Sequence, residues 1–455
     1  MRLKTIIIGV LINLIFSIGY TAYADSFNND DYIVYLKSPK NRVRAVQQSE
    51  TSKKYITATG DELRSLLAND MVAFYEPNLK IKLFEDFSGN QTANQWNHEN
   101  IKLAKAWQIG CYGNDIKVGV IDSGVYNHPD LEANLLEGHN YLTDSNDTSD
   151  YFGHGTFVAG IIAAESNNEY IDGIAYHAKI VPLKCFDENN DSSAAIIADA
   201  IYDAVDIYGC DVINMSFGMS EFHTNITLET AVAYALQNGC ILVAAVGNDG
   251  KNTVYYPAAY DGVVGVGAVD KRNKLCYFSQ KNSTVDVVAP GKNISSVSIP
   301  GFNSVSGTSF SAPHVSAMAA IAKCIDKDIT PTEFQSLLQT TSTRLGGDEY
   351  NTSYGYGIIN IQAMVDELLK NTGVFVSPAE RTNSGANVKV YNNSDEPLSA
   401  KGIAAGYTGV RFSGISITNL LLQPGETACL SSSADSAKFM LWRDFTGMRP
   451  LAAYR

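Results

Sequence analysis

The sequence predicts an α/β protein: a parallel sheet with helices on both faces, preceded by a small α+β block and followed by a small β-rich domain. Three observations predict this. Short, largely apolar runs recur along the middle of the chain, at Val118–Asp122, Lys179–Leu183, Val212–Ser216, Ile241–Val246 and Val263–Val266. Strands this continuously apolar must be covered on both sides, as in parallel sheets. Helical stretches separate them, at Gly155–Ala164, Ser193–Tyr208, Leu228–Asn238 and Ser309–Lys323, giving the alternation of doubly covered α/β folds. Finally, composition shifts at both ends, which sets residues 25–90 and 371–455 apart from residues 91–370.

In chain order, Arg2 and Lys4 precede an apolar run from Ile6 to Ile18, and Ala22-Tyr23-Ala24 supplies a small-x-small cleavage site. Residues 1–24 therefore read as a secretory signal peptide, too short in its apolar core for a membrane anchor. A secreted, extracellular protein is expected, with cell-surface association left open. Residues 25–90 carry a strand at Tyr32–Leu36, a helix from Gly60 and a strand at Met71–Asn78, a βαβ-like block. A tail with alternating lysines follows (Leu79–Phe84), then a polar stretch, Asp86–Asn94, suited to cleavage. Residues 371–455 hold short strands at Val374–Val376, Val388–Tyr391, Leu420–Leu422 and Lys438–Trp442 between Gly-, Ser- and Asn-rich turns, as in a small sandwich.

The formal charge of −14 excludes a nucleic-acid partner as the natural reading. Seven cysteines, an odd number without paired spacing, leave at least one thiol free or bonded between chains. Most lie in apolar runs and read as small buried side chains.

Chemistry concentrates at four places. Gly307-Thr308-Ser309 runs into an Ala-rich helix, and a serine there either caps the helix or uses its N-terminal field as a nucleophile. Asp122 ends an apolar strand, and His154 stands between glycines at the mouth of a small-residue helix. Asn248 follows a second apolar strand, so an orienting carboxylate, a base and an amide donor all precede the serine. The remaining histidines read otherwise: His314 as packed within the serine helix, His128 as part of a turn.

The order Asp, His, Asn, Ser resembles the subtilisin-like serine proteases, over about residues 25 to 370. The resemblance implies a subtilisin-like fold and peptide-bond hydrolysis through an acyl-enzyme. Ser309 would attack, His154 would move the proton, Asp122 would orient the imidazole, and Asn248 would bind the oxyanion. It further implies that Ser216, Phe217 and Gly218 pair with an extended substrate. Gly247, Asp249 and Tyr256 would line the pocket for the residue before the cut. Large apolar or aromatic residues are expected there, with basic ones tolerated through Asp249. No catalytic cofactor is implied, but Asp130 and Asn167 fall where relatives hold a structural Ca2+. Residues 25–90 would be an inhibitory prosegment, making a self-processing zymogen that acts on polypeptide substrates. Phe157, Tyr176-His177 and Phe310-Ser311-Ala312 depart from the usual residues without removing a reacting group. Two alternatives stand beside general proteolysis: dedicated processing of a peptide precursor, and a catalytically silent, protease-like binding or regulatory protein.

Overall fold

Apolar runs bounded by polar turns become strands in the computed structural model, which describes residues 31–37, 55–83, 95–220, 225–382, 385–408, 410–434, 436–443 and 450–454. The expected signal peptide and the polar Asp86–Asn94 stretch lie outside the described residues. Contacts divide the chain into two units, the first ending at Leu79 and the second running from Lys80 to the end.

In the first unit, Asp31–Leu36 is the central strand, with Ile56–Thr59 on one side and Val72–Pro77 on the other, both antiparallel to it. The expected βαβ block is therefore a split one. Its parallel strands are Ile56–Thr59 and Val72–Pro77, joined by the helix Gly60–Ala68. The Ile56–Thr59 strand escaped the sequence reading because Ile-Thr-Ala-Thr is short and half polar. Thr59 starts the helix with a reciprocal cap: its hydroxyl accepts from Glu62 N–H at 3.3 Å, and the Glu62 carboxylate accepts from Thr59 N–H at 2.8 Å. Leu63 then packs on Val34, Ala58 and Val72.

The second unit is built on a seven-stranded sheet, all parallel. Its order is Val287–Pro290, Val264–Val269, Ile241–Ala245, Val212–Met215, Lys117–Asp122, Lys179–Lys184, His139–Asn140. Helices His154–Ala163 and Ala312–Ile325 lie on one face, and Ala194–Asp206 and Ile226–Gln237 on the other. Ala, Gly and Ser dominate the two helices of the first face, so they approach the sheet closely and are buried almost all round. The large core continues into Phe334, Leu338, Met364 and Val365 of two further helices, Pro331–Thr341 and Ile361–Leu369. Apart from this sheet, Lys80–Leu83 is the middle strand of a small antiparallel sheet between Phe217–Gly218 and Asp191–Ser193. Among the described residues, no helix is long and apolar enough to cross a membrane.

Residues after 373 form two antiparallel four-stranded sheets. Val388, Val390 and Leu430 from one share a core with Ala404, Leu420, Phe439 and Leu441 from the other. Phe375 and Tyr391 belong instead to the main core, so this region is seated on the part built around the seven-stranded sheet. Lys389 Nζ donates to the Trp107 carbonyl at 2.8 Å across that seam, and Lys105 pairs with Asp366 beneath it. All seven cysteines are free thiols, five of them buried.

Candidate active site

Asp122 is the last residue of its strand, and His154 the first of its helix. Both are fully buried, and His154 Nδ1 lies 2.7 Å from Asp122 Oδ1. A carboxylate oxygen accepts, so Nδ1 carries the proton of this hydrogen bond and Nε2 is the ring nitrogen left available. Asp122 Oδ1 also accepts from Ser123 N–H at 2.8 Å, which fixes the carboxylate. Gly155 allows the approach: a Cβ there would stand 2.1 Å from the Gly124 carbonyl oxygen and 3.1 Å from Asp122 Oδ1.

Asp150 anchors the start of the histidine helix. One of its oxygens accepts from Gly153 N–H at 2.8 Å, the other from the Thr156 N–H at 3.0 Å and hydroxyl at 2.6 Å. Ser123 Oγ bridges, donating to Asp150 at 3.0 Å and accepting from Gly155 N–H at 3.0 Å. A buried carboxylate at a helix N-terminus satisfies donors that have no intrahelical partner and meets the positive end of the dipole. Sequence reading missed Asp150, although an acid four residues before the helix was the available signal.

Ser309 lies in a single 3-10 turn, Thr308–Phe310, and the α-helix begins only at Ala312. The expected helix start at Ser309 is thus three residues early. Pro313, which has no N–H to give, fits the first turn of the helix and sets its start there. Ser309 Oγ donates to the Ser216 carbonyl at 3.1 Å, and Ser216 Oγ donates to the Ser309 carbonyl at 2.8 Å. Asn214 holds Ser216 Oγ at 2.9 Å and accepts from Ser316 at 2.9 Å, tying the serine helix to the strand end.

The neighbours of Ser309 reach the other two groups. Phe310 packs on the His154 ring, with centroids 5.4 Å apart. On the other side, the Thr308 N–H and hydroxyl donate to Asn248 Oδ1 at 2.9 and 2.8 Å. Those two donors settle which end of the amide is oxygen. Asn248 Nδ2 is then a buried donor with no hydrogen-bond partner among the described residues. An unsatisfied buried donor costs about 1–3 kcal/mol, so its retention marks a place prepared for an acceptor. Gly247 turns the chain into Asn248 at φ +107°, and a Cβ on it would lie 2.8 Å from the Tyr255 ring.

Of the expected substrate contacts, Phe217 and Gly218 form a short strand directly after Ser216, paired with Lys80–Leu83. Its opposite neighbour, Asp191–Ser193, escaped the sequence reading because a polar triplet before a helix looks like a turn. Tyr256 bridges to Met219 by reciprocal backbone bonds of 2.9 and 3.1 Å. Asp249 is exposed and accepts from the Tyr255 hydroxyl at 2.6 Å. Burial, with that carboxylate beside it, pushes the Tyr255 phenol up to about 12.

Asp130 is buried, and Asn167 Nδ2 donates to its Oδ1 at 2.9 Å. Burial, with Glu165 and Asp172 nearby, pushes the Asp130 carboxyl up to about 6. His314 is fully buried between the Phe310 carbonyl (2.8 Å) and Asn97 (3.0 Å), and burial pushes it down to about 3. His128 accepts from Asp130 N–H at 3.1 Å within its own turn.

A carboxylate-oriented imidazole, a serine and an unpartnered amide donor, carried at the carboxyl ends of parallel strands and the mouths of two helices, are the parts that a serine hydrolase site requires. The model of the subtilase family matches residues 113–357, and the chain belongs to that family. It is 36% identical over 304 residues to the thermophilic serine proteinase of Bacillus sp. (strain AK1), covering 66% of this chain and 74% of that one. To the minor extracellular protease Epr of Bacillus subtilis (strain 168) it is 32% identical, over 79% of this chain and 58% of the other. A solved protease structure from Pseudoalteromonas arctica aligns with TM-score 0.56 at 31% identity, over 60% of this chain and 97% of that one. The protein is a subtilisin-like serine endopeptidase.

Proposed function

We propose that Ser309 is the nucleophile of a secreted, self-processing endopeptidase. The observation that carries this is the pair of anchors flanking Ser309: Thr308 holds Asn248 with its Nδ2 unpartnered, and Phe310 packs on an imidazole already oriented by Asp122. His154 takes the Ser309 proton as the serine attacks the peptide carbonyl, and returns it to the leaving amine. Asp122 stabilises the imidazolium, while Asn248 Nδ2 and the Ser309 N–H receive the oxyanion. Water then repeats the sequence on the acyl-enzyme. A serine-directed fluorophosphonate should label Ser309 in the processed protein; folded, processed protein without label there refutes the assignment.

The tail strand supports a zymogen. Lys80–Leu83 lies antiparallel to Phe217–Gly218, as an extended substrate would by strand addition, and Ile81 and Leu83 are buried there. Residues 25–90 act as an inhibitory prosegment whose tail fills the substrate cleft before being cut between Lys82 and Asn94. Export through the signal peptide at 1–24 precedes this step, and the Bacillus subtilis relative, named as an extracellular protease, supports export. Intact mass should show the wild type without its prosegment and Ser309→Ala with it, still folded. Trimming of pure Ser309→Ala at the same bond refutes self-processing.

A calcium ion at Asp130 belongs to the same reading. A carboxyl raised by burial, with acidic neighbours adding to it, and standing beside an amide, suits a hard dication. Among the described residues no three Asp, Glu, His or Cys side chains gather in one place, so backbone oxygens would complete the set. Asn167 would turn its amide, because Nδ2 now faces the carboxylate. Chelator should lower the thermal midpoint and calcium restore it, more above pH 6, where Asp130 is ionised, than below. A midpoint indifferent to both removes the ion.

A further inference from the structure

We infer that Asp191 is a specificity-determining residue that reads a basic side chain on the third substrate residue before the cut bond. The inference rests on the proposed reading of Lys80–Leu83 as a stand-in for substrate. Among the described residues of the tail, Lys82 is the one paired on both sides, with Gly218 on one and Asp191 on the other. Lys82 Nζ lies 3.0 Å from Asp191 Oδ1, whereas Ile81 and Leu83, its neighbours in the tail, are buried. Directly opposed residues of opposite charge are favoured across antiparallel strands, and like charges are penalised. The register also gives the position. Ser216, whose carbonyl accepts from the Ser309 hydroxyl, lies two residues before Gly218. In an antiparallel ladder, the substrate residue two places after the one facing Gly218 therefore comes level with the nucleophile. The basic residue is thus third before the cut, with an apolar residue second. Applied to the chain's own tail, this numbering selects the bond between Phe84 and Glu85 in Lys82-Leu83-Phe84-Glu85.

A half-exposed pair gives a modest preference, and replacing attraction by repulsion widens it. Chromogenic peptides Ile-X-Leu-Phe-p-nitroanilide, with X as Lys, Gln or Glu, measure it on processed enzyme made from the full chain. We expect kcat/KM to fall in the order Lys, Gln, Glu, with Lys about 3- to 20-fold above Glu at low salt and the ratio narrowing in 0.5 M salt, roughly. Asp191→Asn should bring the Lys to Glu ratio towards one, and Asp191→Lys should invert it. Fluorophosphonate labelling of Ser309 counts competent sites in each variant, so misfolding is not mistaken for altered preference. A wild-type ratio of one, or a ratio unchanged in Asp191→Asn, overturns the inference. So does labelled enzyme that cuts none of the peptides. If no peptide is cut and Ser309 takes no label, the catalytic reading itself has failed and this one falls with it.

Discussion

Asn248 shows how one amide is given a single task. Thr308 occupies its oxygen twice, so the nitrogen cannot flip away without breaking two buried hydrogen bonds. Asn248→Ala should lower kcat about 100- to 1,000-fold with little change in KM, a range that comes from subtilisin itself. Steady-state kinetics on a peptide substrate checks this, and a loss confined to KM contradicts it. Thr308→Val should lose part of the same effect, because the amide then keeps only one of its two anchors. The residues proposed to bear the chemistry were picked out in the sequence because Asp122, His154, Asn248 and Ser309 each stand at a strand end or helix mouth beside glycine or small residues. The residues that hold them were not. Asp150, Ser123 and Ser316 are ordinary polar letters until the fold brings their partners within 3.0 Å.

Elements differ in the same way. The central strands were legible because burial on both faces demands an unbroken apolar run, and Ile241–Ala245 meets that demand alone. Hairpin Ile294–Val305 was not, since Ser295, Ser296 and Ser304 are buried polar residues, and a partner such as the Phe157 carbonyl, 2.7 Å from Ser296 Oγ, comes from a distant element. Strand Leu398–Thr408 was hidden as well, its Ala- and Gly-rich inner face carrying little β signal. At the histidine helix, one carboxylate collects several donors of the N-terminal turn. Asp150→Ala leaves buried donors from Gly153, Thr156 and Ser123 without an acceptor, and should cost about 2–4 kcal/mol of stability. Urea unfolding of the purified protein measures it. A midpoint within error of wild type would show that these donors find water instead.

Across the whole molecule, burial sets opposing pH dependences. Burial pushes His98 and His177 down to about 4 and His314 to about 3, so each stays neutral in the fold where the unfolded chain would bind a proton. Their contribution is full above pH 6.5 and is lost as pH falls towards 4. Burial pushes Asp286 up to about 6, which works the other way: its contribution is full below about pH 4 and lost as pH rises through 6. Three histidines against one carboxyl predict a net fall in thermal midpoint between pH 6.5 and 4. Asp286→Asn, which can still accept from Gly265 N–H, should raise the midpoint at pH 8 and steepen the acid loss. A calorimetric series over that range decides, and an unchanged midpoint at pH 8 would refute the role given to Asp286. The seven free thiols carry a consequence of another kind. A fold closed without a single covalent cross-link needs no oxidant to mature and loses nothing to a reductant. Dithiothreitol, which unravels many exported enzymes, should leave this one's half-life at elevated temperature unaltered, and the protein suits surroundings where oxygen is scarce.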